Sequence, residues 1–241
     1  EKIKALGPKL QEHWQRFQQR FKSKTRDTSG HALAYMQGQM TMESDRNFAG
    51  IANNLENSDG QAMQHFMSNS PWSGQGVYEQ IQAEIKEKPE LHPGSALILD
   101  EYADEKAGGQ SAGALRQYNG RMGKVDMCQV AVALGYANWK LEPWPLWTMV
   151  DAEIFLPEVW FGAEYALLRQ KVGVPKERTR FETKPELGLK MIRRAKAAKL
   201  PFEAVLCDSL YGRSSEFRQE LREEHLLYMA AIPNNLRVYL E

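Results

Sequence analysis

Apolar positions recur with two different periods along the chain, and the change between them falls near residue 93. Leu6, Leu10, Trp14, Phe17 and Phe21 are spaced by three and four, an amphipathic helical stripe with basic residues on its other face. Helical patches follow over His31 to Met42, Asn47 to Leu55, Ala62 to Ser68 and Val77 to Lys86, with breaks at Ser70-Pro71 and Ser73-Gly74. Pro89 and the Pro93-Gly94 turn close this region. The pattern therefore predicts an all-helical region over residues 1–92 and a second domain over 93–241.

Beyond Gly94 the pattern favours strands. Ala96 to Leu99 (ALIL) is a short apolar run ending at Asp100. Gly108 to Gly123, rich in Gly, Ser and Gln, reads as a loop or turn between strands. Cys128 to Tyr136 (CQVAVALGY) is the clearest strand, with Leu146 to Phe155 as its neighbour. Pro185 to Lys199 reads as a helix with Leu187, Met191, Ile192 and Ala195 on its apolar stripe. Phe202 to Cys207 is a second buried strand ending at an aspartate, Asp208, followed by a helix from Ser214 to Glu224 and a strand from Leu227 to Ile232. A three-strand meander followed by alternating helix and strand predicts an α/β fold built on a mixed sheet.

Composition narrows the class. The 241 residues are 42% apolar and 26% charged, as in ordinary globular domains. No run approaches the roughly 18 apolar residues of a membrane span, so no membrane partner is expected. Two cysteines, Cys128 and Cys207, provide neither a disulfide framework nor a zinc spacing, which points to a reducing, cytoplasmic setting. The 31 basic and 31 acidic residues cancel. Neutrality argues weakly against nucleic-acid binding, but the charge is segregated. Eight basic and three acidic residues fall in 1–30, three and eight in 31–90, and eleven and three in 169–199.

Asp100 and Asp208 share one local grammar, a single carboxylate immediately after a buried apolar run. Ligands in open α/β sheets sit beyond the carboxyl ends of strands, so two such carboxylates on adjacent strands would suit Mg²⁺. An aspartate there also serves as a turn residue or as the N-cap of the next helix, and both readings stand. Glu101, Asp104 and Glu105 read as a solvated acidic turn or as support for a metal site. Arg116, Arg121 and Lys124 flank a glycine-rich turn and suit DNA phosphates, or are ordinary surface charge. The basic block containing Lys184, Arg193 and Arg194 flanks the helix before the Asp208 strand, either facing DNA or as a solvated face. Tyr211 reads as core rather than as a base-stacking ring. The aromatic group Trp139, Trp144, Trp147, Phe155, Trp160 and Phe161 likewise reads as packing.

LILDEYADEKAG (Leu97 to Gly108), LRQYNGRMGKVDMCQVAVALGYA (Leu115 to Ala137), TKPELGLKMIRRA (Thr183 to Ala195) and CDSLYG (Cys207 to Gly212) together resemble DDE-type transposases of bacterial insertion sequences. They are most similar to the DDE superfamily endonuclease branch. Met36 to Gly74 is similar to that branch's N-terminal helical region. The resemblance implies an RNase H-like core with Asp100 as first catalytic carboxylate and Asp208 as second. It implies two Mg²⁺ ions about 4 Å apart, with Mn²⁺ as a substitute, acting on double-stranded DNA. A homodimer in a synaptic complex, located at the nucleoid, is implied as well, with the basic helices of residues 1–92 binding the element ends.

The family's third carboxylate, a glutamate on a helix further downstream, has no counterpart up to Glu241. The expectation is a fragment of a longer transposase, or a remnant acting as a DNA-binding or adaptor module without cutting.

Overall fold

The structure, a computed structural model, describes residues 6–56, 58–143 and 145–235. Lys2, Lys4, Trp144, Glu241 and the side chain of Leu6 lie outside the described residues. The chain divides into two compact units, Glu1–Ile81 and Gln82–Glu241.

The first unit is helical. It comprises α1 (Leu6–Phe17), a 3₁₀ turn (Gln18–Phe21), α2 (Ser29–Thr41), α3 (Phe48–Asn54), α4 (Gly60–Asn69) and the start of α5 (Gly74–Lys86). The apolar stripe of α1 is buried through Trp14, which packs with Ala32 and Phe66 and is flanked by Phe17, Phe21 and Trp72. Side-chain oxygens stop the short helices from fraying. Asn47 accepts from the Gly50 amide and Asp59 from the Gln61 amide. Gly74 begins α5 rather than breaking it, because the Ser73 hydroxyl accepts from the Gly76 amide.

The second unit holds six strands, β1 (Ser95–Glu105), β2 (Leu115–Asn119), β3 (Lys124–Asn138), β4 (Leu146–Ile154), β5 (Ala204–Cys207) and β6 (Tyr228–Ala230). Its helices after α5 are α6 (Ala166–Lys171), α7 (Lys184–Ala197), α8 (Ser209–Gly212) and α9 (Ser215–Glu223). The sheet order is β2-β3-β1-β5-β6, with β4 also paired to β3. Cys128 pairs with both Glu105 and Leu115, so β2 and β4 lie end to end along the edge of β3 opposite β1. Strands β1 to β4 pair antiparallel, while β1, β5 and β6 run parallel. This is the mixed α/β sheet expected of an RNase H-like core.

Two expectations are corrected. Asp100 does not end its strand: β1 pairs with β3 for five more residues, so Glu101, Asp104 and Glu105 belong to a strand and not to a turn. Continued pairing with the fifteen-residue β3 overrides the polar composition. Part of the expected loop over 108–123 is β2, whose five residues pair with the extended N-terminal end of β3.

The two faces of the sheet differ. Leu97 and Leu99 on β1, and Cys128, Val130, Val132 and Leu134 on β3, form a buried face. The apolar stripe of α7 (Leu187, Met191, Ile192, Ala195) is buried with them, each large side chain contributing roughly 1.5–3 kcal/mol. A Cβ on Gly188 would meet Leu99 Cδ2 at 2.4 Å, so glycine sets how closely α7 approaches β1. Asp100 and Tyr102 point to the other, open face, beside Ala131, Ala133 and Gly135.

Candidate active site

The site grows out of one stretch of strand register. In the parallel pair of β1 and β5, Ala96 lies opposite Ala204 and the match runs to Leu99 opposite Cys207. The next residue on each strand is an aspartate, so Asp100 and Asp208 stand level on neighbouring strands. Asp100 continues along β1 with an exposed side chain, Oδ1 accepting from the Glu101 amide at 2.8 Å. Asp208 leaves the sheet. Its Oδ1 accepts from the Leu210 amide at 2.9 Å, making it the N-cap of α8.

The N-cap reading of Asp208 is thus realised, and it does not remove the carboxylate from the site. Partial burial raises the ionisation point of Asp100, and the charges of Glu101 and Asp208 push it up further. The Glu101 amide and Lys184 oppose the rise. The pair is a pocket of crowded negative charge in which a cation would relieve the repulsion.

Beneath this pair lies a layer that sequence reasoning missed. Glu101 points to the helix-covered face. Its Oε1 accepts from Lys184 Nζ at 2.7 Å, with both side chains largely buried. Lys184 also sits 5.5 Å from the centroid of the Phe155 ring. Its position is fixed by a capping box at the start of α7. Thr183 Oγ1 accepts from the Glu186 amide, and Glu186 accepts from the Thr183 amide at 2.7 Å.

Glu101 Oε2 and Tyr211 Oη are both buried without a hydrogen-bond partner among the described residues. Burial, with the charge of Glu101 next in weight, pushes the Tyr211 phenol far above its usual range. The phenol is thus close enough to feel that carboxylate without meeting hydrogen-bond geometry. A signal for Glu101 was present in the sequence, since it shares the inward parity of Leu97, Leu99 and Ala103. Tyr211 is fully buried, as its core reading requires.

Gly212 completes the turn. A Cβ there would lie 1.8 Å from the Ala231 carbonyl oxygen, so the Cys207 to Gly212 segment can pass the end of β6 only with glycine at that point. Burial and the Asp208 charge push the Cys207 thiol up to about 11, so it stays neutral at pH 7.

The candidate DNA-contact cations separate into two groups. On α7, Arg194 reaches Asp151 at 2.8 Å and also bonds Glu153. Arg193 bonds Glu220 and Glu224, each at 2.6 Å. With Lys184 on Glu101, these three cations are engaged inside the unit rather than presented as a free basic face. Arg116 is exposed and forms no ion pair among the described residues. Arg121 and Lys124 are exposed beside Glu105 (3.8 Å) and Asp126 (2.7 Å).

The aromatic group is not one cluster. Trp160 is fully buried, Phe155 and Phe161 pack edge-on against Phe181, and Trp139 and Trp147 are exposed. Among the described residues no three His, Cys, Asp or Glu side chains are grouped closely enough to hold a metal. No described helix is long and apolar enough to cross a membrane.

Comparison with known proteins gives a concordant result. The profile of a family described as DDE superfamily endonuclease matches residues 16–241. A protein of Microchaete diplosiphon described as a probable transposase for insertion sequence element IS701 is 32% identical over 184 residues. That match covers 73% of this chain and 41% of the relative, so the chain spans less than half the length of the curated relative it matches.

Proposed function

The chain belongs to the DDE superfamily endonuclease family, and from that premise we propose that Asp100 and Asp208 form the metal-holding, DNA-cutting centre of a transposase. The observation that carries the reading is the parallel register of β1 and β5, which sets both carboxylates at one level on adjacent strands. Their hard oxygens fit Mg²⁺, with Mn²⁺ as a substitute, because such ions take one or two protein carboxylates and complete their shell with water and phosphate oxygens. Two bound ions would supply positive charge against the attacking and leaving oxygens of a phosphodiester.

The chain's own residues orient and shield this centre. The Leu210 amide holds one oxygen of Asp208 and leaves the other free. Lys184, Glu101 and Tyr211 fill the space beneath the pair and keep water from that side. In the proposed reaction a water oxygen bonds to phosphorus as the bond to the 3′ oxygen breaks, and that oxygen leaves as a hydroxyl. In strand transfer the same hydroxyl oxygen bonds to a target phosphorus, displacing the target's own 3′ oxygen. No covalent protein–DNA link is involved. Tyr211, the tyrosine nearest the pair, is fully buried and neutral. Work on transposon ends would be done by a dimer or larger synaptic assembly.

A second reading, a DNA-binding or adaptor module without chemistry, draws on the lack of a third acid beside the pair among the described residues. Metal-dependent nicking of duplex DNA by the chain and by Asp100→Asn separates the two. The active reading expects cutting with Mg²⁺ or Mn²⁺, lost with chelator, and reduced in the variant by more than the roughly 10–100-fold typical of outer-shell changes. Equal silence of both proteins, with DNA binding retained, would establish the adaptor reading.

A further inference from the structure

The exposed cations of the β2–β3 hairpin lie on the same continuous surface as Asp100. Register places Asp100 opposite Ala133, Tyr102 opposite Ala131, Arg116 opposite Met127 and Tyr118 opposite Val125. All eight residues share one parity of β3, so their side chains project from one face of the sheet. It is the face that α7 does not cover. Tyr102 is 52% exposed, Tyr118 61% and Val125 54%, and Arg116 is exposed as well. Three large side chains and a cation left in water along one line are unusual for a sheet whose other face is fully packed.

The hairpin is built to hold this surface. Gln117 Nε2 donates to the carbonyls of Gly113 and Cys128, each at 3.0 Å, pinning its base. At the tip, buried Asn119 accepts from the Arg121 and Met122 amides. Residues 115–128 carry three cations (Arg116, Arg121, Lys124) against one carboxylate (Asp126).

We propose that this open face is a track for duplex DNA, running from Asp100 past Tyr102 to Arg116 and Tyr118 on the hairpin, which grips the duplex away from the cut. The inference rests on the DNA-cutting reading above and adds where the substrate lies. A polyanion is favoured over a protein partner because the hairpin's charge is positive and Arg116 is unpaired among the described residues. A two-stranded ribbon also has the width of a duplex major groove. Val125 lies eight residues from Ala133 along β3. At about 3.3 Å per residue this is about 26 Å, or about eight base pairs of about 3.4 Å each.

Binding of the whole chain to a duplex, followed by fluorescence anisotropy in chelator over a range of salt, tests the track separately from the chemistry. Arg116→Ala is expected to weaken binding and to lower the slope of log affinity against log salt by about one. Tyr118→Ala is expected to weaken binding with the slope kept. Both side chains are exposed, so circular dichroism should match the wild type. A second arm places p-azidophenylalanine at positions 102 and 118 of one molecule and maps double cross-links on the bound duplex. The two should lie about six base pairs apart, since their partners Ala131 and Val125 are six residues apart. Unchanged affinity and slope in both variants, or double cross-links without that spacing, overturns the track. Undiminished nicking by Asp100→Asn overturns the catalytic reading instead and leaves the binding arm to stand or fall by itself.

Discussion

Helix α7 and the β2–β3 hairpin carry the same kinds of cation, and sequence pattern treats them alike. Structure separates them by what surrounds each. On α7, Arg194 meets Asp151 and Glu153, Lys190 lies 3.5 Å from Glu153, and Arg193 and Lys196 meet Glu224. These acids come from β4 and from the end of α9, so the cations lock helices to the sheet. On the hairpin the nearest acids are exposed, the pairs are in water, and Arg116 has none among the described residues. A basic residue beside a buried acid is structural; one beside solvent remains available to a polyanion.

The sharpest way to break the comparison is Arg194→Met. Asp151 is fully buried, and burial already pushes its carboxyl up against the opposing pull of Arg194. Removing the partner while keeping the bulk leaves a buried charge uncompensated, at an expected loss of about 3–5 kcal/mol. Urea unfolding at neutral pH measures it. The pH dependence has a definite sign. With a folded ionisation point above the unfolded value of about 3.9, the native state binds more protons in that window. Stability therefore falls as pH rises through it. The variant's deficit should be full at neutral pH and shrink toward acid. A deficit that grows on acidification would show that Asp151 is not the group left unpaired.

Thr183→Ala should have a smaller effect, about 1 kcal/mol, through loss of the capping box. Lys184 is the first residue of α7, so a frayed helix start would also loosen its bond to Glu101. The informative measurement is therefore the Mg²⁺ concentration that gives half-maximal nicking. It should rise in Thr183→Ala and recover in Thr183→Ser.

Much of the fold was legible because its signals are local. The T-K-P-E start of α7 and the caps Asn47 and Ser214 fix helix ends from neighbouring residues alone. The repeated pattern of a short apolar run followed by aspartate marked Asp100 and Asp208 before any pairing was known. The missed features depend on distant partners. β1 runs on past Asp100 because β3 continues beside it. β2 exists because Lys124 to Cys128 offer it an edge, against a composition rich in glycine and serine. The opposite behaviour of Arg116 and Arg194 was illegible for the same reason. What decides each is a carboxylate, or its absence, 40 or more residues away in sequence, as Asp151 and Glu153 are from Arg194.

The smallest expected effect is the most discriminating. Arg193 sits half-exposed between Glu220 and Glu224, and pairs of that kind contribute about 0.2–1 kcal/mol. Arg193→Ala should therefore cost little stability. It should also leave the salt slope of DNA binding unchanged, because a guanidinium held by two carboxylates has no counterions to give up on meeting a phosphate. Arg116→Ala should do the reverse, leaving stability within about 0.5 kcal/mol and lowering the slope. Both substitutions remove one positive charge, so net charge cannot account for a difference between them. A slope lowered equally by the two would mean that DNA senses only the summed charge of the unit and that the pairing of α7 does not matter. A slope lowered by Arg116→Ala alone would assign the DNA contact to the open face.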